Sequence, residues 1–218
     1  VMRYFQKVLS RSCLPVKYTQ GFHPHQILSF ASPLGVGLTS DGEYMDFELE
    51  EDVPKEQISE ALQLAITDGF LITELTILEP RVLNVKKVSS MALVDSADYF
   101  IYQKNEAISK PVCSAFETTF SNWMSQPELI ITKKTKTSEK EMDIKPYIYE
   151  YAFSFDQFLQ QRSLSEQYKE KLCCHIEEVT GIKLYLHLSA GSSMNLKPET
   201  ILEDFIVASG LELNVNDF

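Results

Sequence analysis

The chain has 218 residues, 44% of them hydrophobic and 23% charged, with a formal net charge of −11. That composition excludes a wholly disordered polypeptide and is enough for one large domain or two small ones, each with its own core. The acidic balance argues against a generic nucleic-acid coat, and no apolar run is long enough to span a bilayer, so a cytoplasmic setting without a membrane partner is expected.

Val1–Ser12 reads as an amphipathic helix, with Val1, Phe5, Val8 and Leu9 on the apolar face and Arg3, Lys7 and Arg11 recurring every four residues on another. Together with Lys17 these cations give residues 1–40 a charge of +4, with no carboxylate, against −15 for the rest. Such an end carries a field suited to an anion. The helix starts without a capping residue, which suggests a segment before Val1. Pro15 stops it, and Val16–Ser32 is loop-like, punctuated by Gly21 and Pro24. Ile27–Phe30 is a short apolar strand candidate, and Tyr44–Leu49 alternates with period two, so Ser40-Asp41-Gly42 predicts a hairpin turn between them. Pro54–Asp68 predicts a helix that Gly69 ends, and the β-branched run Leu71–Leu78 predicts a strand.

Arg81–Val94 reads as a linker. Asp98–Tyr102 is a strand candidate, Val112–Met124 a helix, and Glu128–Thr137 with Met142–Phe155 the arms of a long hairpin turning at Ser138–Glu141. Glu166–Val179 is a further helix candidate, Ile182–Leu188 a strand, and Pro198–Ala208 a last helix opened by its proline. The fold expectation is α+β: two ferredoxin-like β-α-β-β-α-β units in tandem, the first lacking its N-terminal strand. The units would span 1–80 and 98–218, with 81–97 between them. Cys13, Cys113, Cys173 and Cys174 show no C-x-x-C pair and cannot supply an iron–sulfur cluster, so they read as reduced thiols.

Four segments invite chemistry. In Gly21-Phe22-His23-Pro24-His25, two imidazoles two residues apart on an extended backbone share a side. They could act as an acid/base pair, bind a metal with a third ligand, or hold a phosphate; equally, one could cap the loop while the other is exposed. Glu43 and Asp46 could complete a metal set with His23 and His25, or form the solvated edge of an acidic strand. Tyr147, Tyr149, Tyr151, Phe153 and Phe155 fall on every second residue and read either as core or as a base-stacking face, with Lys133, Lys134 and Lys136 on the facing arm. Gly191–Pro198 reads as an ordinary loop before a helix, or as an anion-binding one. His175 and His187 have no evident partners.

The run Arg11-Ser12-Cys13-Leu14-Pro15-Val16-Lys17-Tyr18-Thr19-Gln20-Gly21-Phe22-His23-Pro24-His25, continued by Ile27–Leu34 and Gly42-Glu43-Tyr44-Met45-Asp46, resembles the radical-SAM-linked proteins, an uncharacterised bacterial family of unknown function. Asp143-Ile144-Lys145-Pro146 and Leu196-Lys197-Pro198-Glu199 are similar to its later elements. Lys145 and Lys197 stand where relatives often carry Arg, keeping the charge but not the bidentate geometry. The resemblance implies a strand and a Ser/Gly-His-Leu-Asp stretch ahead of Val1. It also implies a radical S-adenosylmethionine partner that carries the S-adenosylmethionine, the iron–sulfur cluster and, in some cases, cobalamin; this chain needs no cofactor of its own. The resulting expectation is an accessory module that presents an RNA or ribosome-related anionic substrate to that partner. Its anion-binding set would be Arg3, Lys7, Arg11, Lys17, Gly21, Phe22, Ser29, Lys145 and Lys197, with His23 and His25 as any catalytic groups. The alternatives are a stand-alone His- or metal-dependent RNA-processing enzyme, and a protein–protein adaptor.

Overall fold

The computed structural model describes residues 1–32, 34–35, 37–78, 90–134, 139–161, 180–191 and 194–218. The chain is α+β with small antiparallel sheets, and divides into two compact units, Val1–Val94 and Asp95–Phe218. Among the described residues no helix is long and apolar enough to cross a membrane.

In the first unit, α1 (Met2–Arg11) buries Val8 and Leu9 and leaves Arg3, Lys7 and Arg11 exposed, as its periodicity predicts. Its end is set by Cys13, whose φ of +57° is left-handed, followed by Pro15. That left-handed position after a helix usually belongs to glycine, because a Cβ is crowded there. Strands β1 (Leu28–Phe30) and β2 (Met45–Phe47) pair antiparallel. The tight turn predicted at Ser40–Gly42 does not join them directly. The connection is longer, and its ends meet through the Ala31 N–H, which donates to the Tyr44 carbonyl (3.0 Å). Helix α2 (Lys55–Ala65) packs Ile58, Leu62 and Ala65 against Val8, Leu9, Leu14 and Val16. It stops before Gly69, because Ile66 turns extended (ψ 143°).

Leu71–Leu78 is irregular rather than a strand. Ile72 and Leu75 sink into the core of this unit, and that anchoring replaces ladder pairing. A four-residue helix, α3 (Ser90–Leu93), closes the unit. Most of the expected linker lies outside the described residues.

The second unit is built on β3 (Ser96–Tyr102), β6 (Ile148–Ala152) and β7 (Lys183–Ser189), ordered β3-β7-β6 and antiparallel throughout. Leu184, Leu186 and Leu188 alternate towards one face. There they meet α4 (Lys110–Met124) and α6 (Pro198–Ser209), whose Phe116, Phe120, Trp123 and Phe205 form edge-on ring contacts. Tyr185 turns to the opposite face, stacked between Phe100 and Phe158 of α5 (Phe155–Gln161). Strand β7 is entered through Gly181 at φ +88°, where an added Cβ would lie 2.9 Å from Gln103 Cδ. The Glu166–Val179 helix expectation, with Cys173, Cys174 and His175, lies outside the described residues.

The predicted long hairpin is divided. Strands β4 (Ile130–Lys134) and β5 (Glu139–Asp143) form a separate two-stranded ladder, while β6 joins β7. Asp143 makes the break: its carboxylate accepts from the Leu129 N–H (2.8 Å) and the Lys145 N–H (3.0 Å), and fully buried Ile144 donates to the Leu129 carbonyl (2.9 Å). Residues Glu139–Glu141, placed in a turn by the sequence, are strand. The described elements establish small antiparallel sheets with helices; they do not establish two tandem ferredoxin-like units.

Two stability predictions follow from this packing. Cys13→Gly relieves the left-handed strain and should raise stability by about 0.5–1 kcal/mol, read from the urea midpoint. Burial raises the Asp204 carboxyl above its ordinary range, with a hydrogen bond from Trp123 opposing. Stability therefore falls as the pH rises from the ordinary carboxylate range to the raised folded-state value, and stays lower above it. Asp204→Asn should raise the melting temperature at neutral pH, and the gain should vanish below the usual carboxylate range; a gain independent of pH would contradict this origin.

Candidate functional site

The Gly21–His25 segment is the tip of a small hairpin. Tyr18 bridges Gln26, the Thr19 N–H donates to the His25 carbonyl (2.8 Å), and the His25 N–H donates back to Thr19 Oγ1 (3.1 Å). Below this closure three segments are laced together: Lys17 N–H donates to the Glu48 carbonyl (2.8 Å), Ile27 N–H to the Lys17 carbonyl (2.8 Å), and Glu48 N–H to the Ile27 carbonyl (3.2 Å). Gly21, at φ +119°, supplies the backbone turn that the tip needs and that a side chain would strain. Residues from Gln20 to His25 are all exposed, and Phe22 is 102% exposed, so its ring covers nothing.

The two histidines differ. His25 has its Nδ1 3.2 Å from Thr19 Oγ1 and 3.3 Å from the His23 carbonyl, so its ring is pinned from within the loop. His23 lends its carbonyl to that arrangement and is itself exposed. Gln26, directly after the tip, is buried and donates through Nε2 to Ser10 Oγ on α1 (3.1 Å). Lys7 lies three residues before Ser10, on neighbouring helix surface, and is exposed. Thr19 and Gln26 carry no role in the sequence reading. The polar Gln26 heading the apolar Ile27-Leu28 was the available signal.

Several of the other proposed residues make contacts within their own unit. Arg11 donates to the Ala65 carbonyl (3.0 Å), the end of α2, where a cation suits the helix dipole. An open cleft of about 410 Å³ lies there, lined by Arg11, Gln57, Glu60, Leu64 and Thr67 among others. Lys17 faces Glu48 (3.3 Å) and is partly neutralised. Arg3 is exposed. Ser29 is half-buried in β1 opposite Asp46. Asp46 accepts from both the N–H and the hydroxyl of Ser90 at the start of α3, the former at 2.8 Å. Partial burial raises the Glu43 carboxyl although the residue as a whole is exposed, with a Ser40 hydrogen bond opposing. Among the described residues, no three His, Cys, Asp or Glu side chains come together as a metal would require, so His23, His25, Glu43 and Asp46 are not assembled.

Lys145 and Lys197 belong to the second unit. The Lys145 ammonium donates to the Gln126 carbonyl just past α4, a second cation at a helix end. Lys197 is exposed at the N-cap of α6. The Gly191–Pro198 loop is closed by the Leu196 N–H donating to Ser189 (2.9 Å) and by an Ala190–Asn195 bridge, an ordinary return into a helix; Ser192 and Ser193 lie outside the described residues.

The aromatic run does not face one way. Tyr147 is in a short 3₁₀ turn and Phe155 opens α5. Between Ile148 and Glu150 the register shifts, leaving Tyr149 as a bulge residue. Tyr151 and Phe153 consequently pack on the core, while Tyr149 is exposed and edge-on to His187. His187 has partners the sequence did not reveal: its Nδ1 is 3.8 Å from Glu150 Oε2.

Residues 1–198 match the family described as "Uncharacterized protein conserved in bacteria (DUF2344)". The chain belongs to this family. No curated protein and no solved structure matches it. The family match covers both the hairpin tip and the Asp143–Pro146 turn, and the geometry differs between them: Asp143 and Lys145 hold a corner, whereas Phe22 is fully exposed and His23 contributes its carbonyl to the His25 ring.

Arg11→Gln should lower stability by about 1 kcal/mol through the lost helix-end contact, measured by urea unfolding. The same variant should leave any ligand affinity of the tip unchanged within about twofold, since a neutral side chain there removes a cap rather than a contact. A tenfold affinity loss without destabilisation would return Arg11 to the binding set.

Proposed function

We propose that this chain is a substrate-binding accessory module whose contact point is the Gly21–His25 tip, and that its substrate is single-stranded RNA or a ribosome-related RNA segment. The observation that carries the reading is a fully exposed phenylalanine on a loop whose base is locked by Thr19. A soluble domain gains nothing in stability from such a ring, and an exposed aromatic beside imidazoles suits base stacking. Exposed Arg3 and Lys7 on a carboxylate-free stretch support attraction of the phosphate backbone to an otherwise acidic molecule. In this reading the chemistry belongs to a radical S-adenosylmethionine partner, as the resemblance of the signature run implies. Two tandem ferredoxin-like units remain the architecture proposed for the full family domain.

The test is RNA binding by fluorescence anisotropy across a salt series. Binding should weaken steeply with salt, and Phe22→Ala should cost about 1–3 kcal/mol. Lys7→Gln should flatten the salt slope by about one phosphate contact. Absent binding, or binding indifferent to both salt and Phe22, overturns the RNA reading. Co-purification with the radical partner in the absence of RNA would point instead to a protein adaptor.

A further inference from the structure

The pinned ring of His25 says more than that it is exposed. A carbonyl oxygen only accepts hydrogen bonds, so the contact between His25 Nδ1 and the His23 carbonyl (3.3 Å) is a hydrogen bond in the tautomer that carries the proton on Nδ1. Thr19 Oγ1, 3.2 Å from the same nitrogen, is held in turn by the His25 N–H, so rotating the ring gives up both Nδ1 contacts. A neutral imidazole has one donor and one acceptor. With Nδ1 as donor, Nε2 presents a lone pair at the exposed tip. Three residues earlier on the same closed loop stands the exposed ring of Phe22.

We propose that the tip recognises an unpaired nucleobase by two contacts: a stack on Phe22, and a hydrogen bond that His25 Nε2 accepts from an N–H on the edge of the base. This deepens the RNA reading and rests on it. Stacking alone is tolerant of base identity, because every base has a π-face. A fixed acceptor beside the stack selects bases that offer a donor, and it differs from a phosphate contact, which would need the imidazolium. Thr19 is the positioning residue, acting through His25.

The experiment compares strands that keep the stack and lose the donor. Oligoadenylate is paired with the same strand carrying N6,N6-dimethyladenine, and oligouridylate with the same strand carrying N3-methyluracil. Wild-type protein should bind the unmodified member of at least one pair about tenfold more tightly, the usual scale for one hydrogen bond. His25→Phe should retain stacking and salt dependence but bind both members alike. Thr19→Val should narrow the difference, with wild-type-like unfolding as its fold control. Nitrogen-15 spectra of the free protein at about pH 8, above the ordinary imidazole range, should show His25 protonated at Nδ1. Equal binding within both pairs, with salt-dependent RNA binding intact, overturns this inference and leaves the RNA reading standing, as does a proton found on Nε2. Loss of all RNA binding overturns both.

Discussion

A loop whose tip is exposed must be fixed at its base, because fixing each backbone residue costs about 1–2 kcal/mol. In the first unit that fixing is done by Thr19. Its backbone donates to His25, its hydroxyl accepts from the same residue, and its oxygen touches the His25 ring. One residue therefore sets the backbone closure and the ring orientation together. The ladder below, through Lys17, Ile27 and Glu48, ties the closure to β1 and β2, and Gln26 ties it to α1.

Three of the cations in the expected anion-binding set make contacts within their own unit. Arg11 and Lys145 sit at the carbonyl ends of α2 and α4, one in each unit, where unpaired carbonyls and the helix dipole both favour a cation. Lys17 is answered by Glu48. Removing these from the count leaves Arg3 and Lys7 as the exposed cations of the first helix, a smaller field than composition suggests. Which cations are tied down within a unit is decided by carbonyl positions that become neighbours only on folding.

Patterns that depend on local chemistry were legible in the sequence. The period of α1, the existence of β2, the proline opening α6 and the exposed glycine-proline tip all appear where local propensity places them, though β2 is shorter than Tyr44–Leu49 and its residues are evenly half-buried. What failed were readings that assumed a uniform period. Leu71–Leu78 has the composition of a strand, but Ile72 and Leu75 are spent on the core, and among the described residues no strand pairs with it. The long arm from Met142 to Phe155 looked continuous because nothing in its composition marks Asp143 as the acceptor of two backbone donors from different segments. The site was legible as a segment and not as a set: His23 and His25 share a loop, whereas Glu43, Asp46, Arg11 and Lys145 each answer to a different neighbour.

The bulge at Tyr149 has a consequence for how this sequence can vary. Side chains on a strand alternate strictly, so an extra residue inverts everything on one side of it. Ile148 reaches the leucine face of the sheet, and Tyr151 and Phe153 reach it again after the irregularity, while Ala152 is left for the Tyr185 face. The bulge absorbs that inversion: flattening it with Tyr149 retained would send Ile148 to the side of Glu150 and Ala152, whereas deleting Tyr149 would leave Ile148 opposite Leu188 and Glu150 opposite His187 in unbroken alternation. The stretch between the Asp143 corner and helix α5 can therefore shorten by one residue at Tyr149 without exchanging faces, and what it must preserve while Tyr149 is present is the break in alternation.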